Sequence, residues 1–461
     1  MNKNFSLLFL LGGLFMLIIG AFAGVMISMV YLLPDFFKDY LPFNQLRPIH
    51  TTSIICWIVL TASGGVYYYL SKVEKLKLYA PKLGVLHLVI YFLVAFGIIA
   101  SYLTNQMGGR EYMVFFPLLM VPILLGWVLF GINYFRTLWG NVKNWPVYFW
   151  MWGIGIVFMI FHLSEANFWV FDYFRSDYIR DLTVQWKSYG AFVGSWNMLV
   201  YGTVIYVMSK IKDDVNLARG KTTFFFFFLG LTNLMFGWAH HTYIVPTMPW
   251  VRYVAYGISM TEWIIFIRII YGWSKSLTKK DKRENSMAYR FIMASDIWVF
   301  LNLVMALFMS IPVLNYFSHG THITVAHSMG TTIGINTCIL FASVSFIISK
   351  LTPLEKIKKA KKFPFYFFNA SLLVFWVALI AMGVHKAIWV NTNPDGLNAD
   401  LHASSGIYYL IFIIAGVALF LGICMIAIPM IRTLIPACTY TLYPKAIQEE
   451  IDHLEEVHSE D

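Results

Sequence analysis

Apolar residues in this chain run in long unbroken blocks, separated by short polar stretches that carry most of the charge. Twelve such blocks begin near Phe5, Thr51, Leu83, Tyr112, Pro146, Val184, Thr223, Val251, Phe291, Thr321, Phe365 and Gly406. Each is roughly 20 residues or longer, enough for a helix to cross about 30 Å of hydrocarbon. No alternating pattern of short strands recurs, and inside a bilayer every backbone polar group must find a partner within the chain. The pattern therefore predicts an all-α, polytopic membrane protein: twelve transmembrane helices in one bundle over residues 1–440, then an acidic cytoplasmic tail over 441–461. The polar stretch Asp172–Lys187 reads as an interhelical loop.

Composition agrees and narrows the class. The 461 residues are 59% hydrophobic and only 13% charged, where a soluble domain runs near 25% charged. The net charge of +10 is a topology signal, because Lys and Arg gather in alternate loops: Lys72–Lys82, Lys210–Lys221, Lys275–Arg283 and Lys350–Lys362. Those loops are expected in the cytoplasm, together with both termini. The first block is too long, and lacks a small-residue cleavage site, to be a secretory leader. Four cysteines, Cys56, Cys338, Cys424 and Cys438, lack the spacing of a zinc ribbon, a covalent c-type haem or a disulfide framework. Cys56 and Cys338 read as small packing residues. No internal repeat argues for an inverted-repeat transporter.

The candidate chemistry sits in histidines placed inside these blocks. Asn315–Ile335 reads NYFSHGTHITVAHSMGTTIGI. Its His327 and Met329 lie two positions apart, so on a helix they diverge by about 200° and can hold different objects. Both residue types bind haem iron, and a buried imidazole at bilayer depth is costly unless something coordinates it. A packed methionine and a histidine satisfied by a neighbouring helix are the plainer alternatives. His50 opens the second block at a comparable depth, with Arg47 one turn before it, in reach of a haem propionate or serving as an interfacial anchor. His240 and His241 are adjacent near the end of the seventh block. They can serve one metal only if the helix is distorted there, which Thr242, Tyr243 and Pro246 favour. His319 and His322 read as surface or structural residues, and His87, His162 and His402 as satisfied core or loop histidines.

RPIHT in the second block, GGREY at Gly108–Tyr112, AHH in the seventh, a glutamate in the eighth and SHGTHITVAH in the tenth appear in order. From about Gln45 to Ala342 the chain resembles the haem–copper oxidase superfamily, most of all the large subunit of cytochrome-c-dependent nitric oxide reductases. Val184–Trp186 also resembles the cbb-type oxidases. The resemblance implies two b haems, a non-haem metal that is iron in the reductases, and a calcium ion. By that resemblance His50 ligates the low-spin haem and His327 the high-spin haem. His240 and His241 are two of three histidines on the non-haem metal. Glu262 lies near that metal as ligand or proton relay, and Glu111 holds calcium between haem propionates. A membrane-anchored c-type cytochrome, docking near Arg110 and Glu111, is the implied electron donor, and the bacterial cytoplasmic membrane the implied location.

The chain departs from that pattern twice. A histidine on span six, followed in the reductases four residues later by glutamate, is missing: Tyr189 stands at or near the histidine position, with Asn197 the nearby polar group. Met329 replaces the second histidine of a His-x-His pair, and as a thioether ligand opposite His50 it would raise the potential of the low-spin haem. The expected function is reduction of nitric oxide or a related small gas. A cbb-like oxygen reductase and a non-catalytic haem protein for electron transfer or gas sensing are the alternatives.

Overall fold

The computed structural model describes residues 4–140, 142–242, 246–258, 261–351 and 362–439. Among them are twelve helices long and apolar enough to span a membrane, and no strand. Spans one to six are Phe5–Met29, Phe43–Val73, Pro81–Leu103, Pro117–Thr137, Val147–Val170 and Tyr178–Lys212. Spans seven to twelve are Val215–Ala239, Pro249–Ser276, Ser286–Ser310, His322–Leu351, Phe363–Thr392 and Gly406–Cys438. The tail expected over 441–461 lies outside the described residues.

Two boundaries differ from the hydropathy reading. Span two begins at Phe43, before the polar Asn44, Gln45 and Arg47, because Pro42 supplies an extended residue ahead of the first turn; Pro48 lies inside the helix, where it removes one backbone donor. The stretch Asp172–Lys187 is not a loop. It holds a short helix, Asp172–Arg175, and then the helix Tyr178–Trp186 that opens span six. Asp177 caps that helix by accepting from the Arg180 backbone N–H at 2.9 Å. One face of it packs through Val184, while Asp181 and Gln185 are used for polar contacts.

Spans two, six and ten form the centre of the bundle: 67%, 89% and 78% of their apolar windows are buried, against 33–61% for the others. Each of the three contains a π-helical segment, Tyr69–Val73, Gly190–Ser195 and Gly330–Thr337. Hydroxyl side chains help to hold two of them, Ser195 donating to the Gly190 carbonyl at 2.7 Å and Thr337 to that of Thr332 at 2.9 Å. Side chains then tie the three helices together. Trp57 donates to Thr337 Oγ1 at 3.0 Å, Tyr69 and Ser343 share a hydrogen bond of 2.5 Å, and Tyr206 donates to Glu74 at 2.7 Å. Lys210 pairs with the same Glu74 oxygen at 2.7 Å.

Spans one and two pack backbone to backbone through small residues, the usual way to gain contact where lipid is as apolar as the helix surface. A Cβ on Gly64 would sit 2.6 Å from that of Phe9 and 2.9 Å from the Ser6 carbonyl oxygen. Gly64→Leu is therefore expected to force the two helices apart and to cost about 1–3 kcal/mol. Gly272→Ala, inside a helix where a Cβ meets nothing within 4 Å, should not lower stability. Thermal unfolding of the two variants in detergent measures the difference, and equal midpoints would refute this packing.

Candidate functional site

His327 sits in the helix His322–Met329, immediately before the π segment of span ten. Thr321 starts the helix by accepting from the Ile323 N–H at 3.2 Å. At the other end the His327 carbonyl receives two side chains, Asn302 of span nine at 3.0 Å and Thr331 at 3.1 Å. Asn302 also donates to Thr331 Oγ1 at 2.6 Å, so the backbone that carries the imidazole is held from both directions. The ring is half-buried, its centroid 6.3 Å from that of Trp263 in span eight, and its Nδ1 is buried without a protein partner. An imidazole fixed in place with an unpartnered ring nitrogen fits a metal-ligating role. Met329 is half-buried and packs against the core.

His50 is anchored differently. Its Nδ1 lies 2.7 Å from the carbonyl oxygen of Gly20 in span one. A carbonyl only accepts, so Nδ1 carries the hydrogen and the Nε2 lone pair is left for a ligand. The Trp57–Thr337 bond fixes relative depth: His50 and Met329 lie seven and eight residues from it toward the same face, about 10–12 Å at ordinary helical rise. His50 and Trp57, seven apart, lie close in angle on the helix, and the His50 ring packs against span one at Gly20 and Gly24.

A charged cluster closes this face of the bundle. Arg47 makes a two-pronged pair with Glu111, at 2.6 and 3.3 Å, so the guanidinium expected at a haem propionate is joined here to the carboxylate expected at calcium. Gln185 accepts from the Glu111 N–H at 3.2 Å. Arg110 holds both oxygens of Asp181 at 3.0 Å and lies 4.8 Å from the Trp169 ring. Together these contacts bind the start of span two, the Gly108–Tyr112 motif and the helix that opens span six.

His240 and His241 lie on the turn Gly237–Thr242, a tight 3₁₀ segment rather than a continuation of the α-helix. The local distortion expected for adjacent ligands is present; the side chains of both histidines lie outside the described residues. Side chains of spans five and six tie down this turn. Lys187 lies 4.8 Å from the Trp238 ring and 3.5 Å from Glu165, and Glu165 accepts from His162 Nδ1 at 2.8 Å. His162 packs against Gly190, where any Cβ would collide with its ring. His162, read from sequence as a satisfied histidine, thus anchors a clamp from span five to the turn. Of the other histidines set aside, His322 contacts the Tyr31 hydroxyl at 3.3 Å, His402 packs on Tyr409, and His87 sits among Phe9, Tyr67, Tyr91 and Phe130; His87, His162 and His322 each also keep one ring nitrogen buried without a protein partner.

Glu262 is 2% exposed, and a carboxylate so placed in a span needs a partner. Asn233 of span seven donates to its Oε1 at 2.7 Å. Tyr189 of span six donates in turn to Asn233 Oδ1 at 3.3 Å. Tyr189, expected at or near the position of the missing histidine, is thereby joined to the span-eight glutamate through one amide. Asn197 lines a small cavity beside Glu262, with Tyr201 and Asn233. Nothing local in the sequence marks Asn233 or Tyr201 as functional; only the meeting of spans six, seven and eight does. Among the described residues, no three His, Cys, Asp or Glu side chains are grouped as a metal site.

The model of the family described as "Cytochrome C and Quinol oxidase polypeptide I" matches residues 4–418. The chain belongs to this family, within the haem–copper oxidase superfamily. It is 22% identical over 428 residues to a nitric oxide reductase subunit of Stutzerimonas stutzeri, covering 87% of this chain and 88% of that one. It is 21% identical to a cytochrome c oxidase subunit 1 homolog of Agrobacterium tumefaciens (strain T37), covering 91% and 81%. A cryo-EM structure of a heme-copper terminal oxidase dimer shares the fold with a TM-score of 0.71 at 15% identity, covering 94% of this chain and 84% of that one. Members of the family are oxidoreductases that bind haems and a non-haem metal.

The clamp on the histidine turn makes a measurable statement. Glu165→Gln and Lys187→Met should be non-additive, with a coupling energy on the order of 1 kcal/mol in a double-mutant cycle on unfolding. Strict additivity would mean that Glu165 and Lys187 do not act as a pair.

Proposed function

We propose that this protein is a membrane oxidoreductase that reduces nitric oxide, or a related small oxidised gas, at a high-spin haem beside a non-haem metal. The observation that carries the reading is the joining of Glu262, Asn233 and Tyr189 at one place, with Trp263, next in sequence to Glu262, facing His327. In the proposed site His327 holds a haem from one side, and His240 and His241 hold the metal, with iron preferred because imidazole and carboxylate together suit it. When bound, the haem and metal would supply a redox-active place for the gas, with the electrons coming from a separate donor. The chain's own contribution is to orient and to move protons. Asn302 and Thr331 fix the His327 backbone, and Glu262, held by Asn233, keeps a proton-carrying group where reduction consumes protons.

His50 and Met329 are proposed as ligands of a second, low-spin haem, the Gly20 carbonyl setting the tautomer of His50. A calcium ion at Glu111 would compete with Arg47 for the same two oxygens, so Arg47 serves as the built-in counter-charge of that carboxylate. On the bias of the basic loops, the opposite face and both termini are assigned to the cytoplasm, and a bacterial-type inner membrane is the proposed location. The charged cluster then faces outward, and a membrane-anchored c-type cytochrome docking there is the proposed electron donor. Recovery of such a subunit with the purified protein checks this assignment.

Anaerobic nitric oxide consumption by the purified complex tests the main reading. Glu262→Gln should lower turnover tenfold or more while leaving both haem spectra unchanged, as loss of one proton-transfer group does. Wild type containing haem iron as its sole metal, with no gas turnover, would replace this reading by an electron-transfer or sensing role. Copper with oxygen consumption would replace it by an oxygen reductase.

A separate expectation concerns Met329. Met329→His should lower the potential of the low-spin haem and move its spectrum toward the bis-histidine type, because imidazole stabilises ferric iron better than thioether does. An unchanged potential would make Met329 a core residue.

A further inference from the structure

The cavity beside Glu262 carries more than the carboxylate's bond to Asn233. It encloses about 10 Å³, the space of one water molecule. Three buried polar atoms on its wall make no close hydrogen bond to protein: Glu262 Oε2, Asn197 Oδ1 and the Tyr201 hydroxyl, whose oxygen faces the indole N–H of Trp263 and whose hydrogen is left to donate. Two of them accept, and the third can donate. That set is complementary to one water, which donates two hydrogen bonds and accepts one. Leaving all three groups unsatisfied in a low-dielectric interior would cost far more than immobilising the water. The deeper side of this region is closed by an aromatic group. Tyr201 and Phe266 lie 4.8 Å apart between ring centroids, and Phe226 and Phe266 stack at 4.9 Å.

We propose that Glu262, Asn197 and Tyr201 bind one structural water, and that this water fixes the carboxylate with Oε1 on span seven and Oε2 turned to span six. Asn197 and Tyr201 are thereby positioning residues for Glu262. The span-six side, which supplies no histidine, takes part in the site through this hydration. The water itself stands on the cavity and its donor set. The consequence for turnover rests on the proposed function.

The test uses the full-length protein in its purified complex. A cryo-EM map at a resolution that shows ordered solvent should contain one density within hydrogen-bond reach of all three atoms. Infrared difference spectra in water and in H₂¹⁸O should show a band of an isolated internal water. Asn197→Leu, which puts an apolar side chain of similar size in the cavity, should abolish the density and the band. Tyr201→Phe, which removes only the donor, should shift the band. Unchanged haem spectra in both variants report an intact fold. A wild-type map in which the three atoms contact one another, or an ¹⁸O-sensitive band unmoved in both variants, would overturn the proposal. A water present in a protein that turns over no gas would leave the proposal standing and remove the functional reading alone.

Discussion

A carboxylate inside a bilayer is costly to leave bare, so it has to be held or neutralised. Here the hold is the Asn233 amide on Glu262, reached across from span seven to span eight and continued by Tyr189 of span six. The rest of the site is arranged around that requirement. Span six must approach closely enough for Tyr189 and Tyr201 to reach the same region, and Gly190 and Gly194 permit the approach by presenting backbone to His162 and Leu234. The clamp of His162, Glu165 and Lys187 then fixes the turn that carries His240 and His241.

Electrostatics divides the bundle by depth. The end nearest His50 and His327 is closed by paired charges, Arg47 with Glu111 and Arg110 with Asp181, which are partly exposed and so cheap to maintain. Deeper in the bundle, the polar side chains that join the helices are neutral and tied to neutral partners, as Trp57 is to Thr337 and Asn302 to Thr331. Glu262 and Asp296 are buried carboxylates among the described residues of the spans, and their desolvation is a cost the fold bears.

Much of this was legible in the residues. Twelve spans follow from apolar block length, since bilayer thickness sets helix length directly. The histidines stood out because imidazole is rare in such blocks. The beginning of span six was hidden, because Tyr178–Trp186 is amphipathic and its charges look like those of a loop until Asp177 is seen to cap it and Asp181 to pair with Arg110. Asn233 was invisible for another reason: its partner is 29 positions away on another helix, and an isolated asparagine in a phenylalanine-rich block carries no periodic signal. Tyr189 could be named only as what stands where a histidine was expected. Its bond to Asn233 is a property of three helices, not of one.

The π segments of the three central spans have a genealogical meaning. A π turn is an α-helix that has absorbed one additional residue, so the halves of span six on either side of Gly190–Ser195 are out of phase with an unbroken helix by about 100°. Excising one residue from that segment would restore a plain helix and swing Tyr189 and the charged ends of the preceding turn around the axis, with Asn197 and Tyr201 left in place. A single-codon insertion or deletion at this point is thus a larger change to the site than most substitutions. A relative with an unbroken helix there, aligned without a gap, would be compared at the wrong angular position on one side of it.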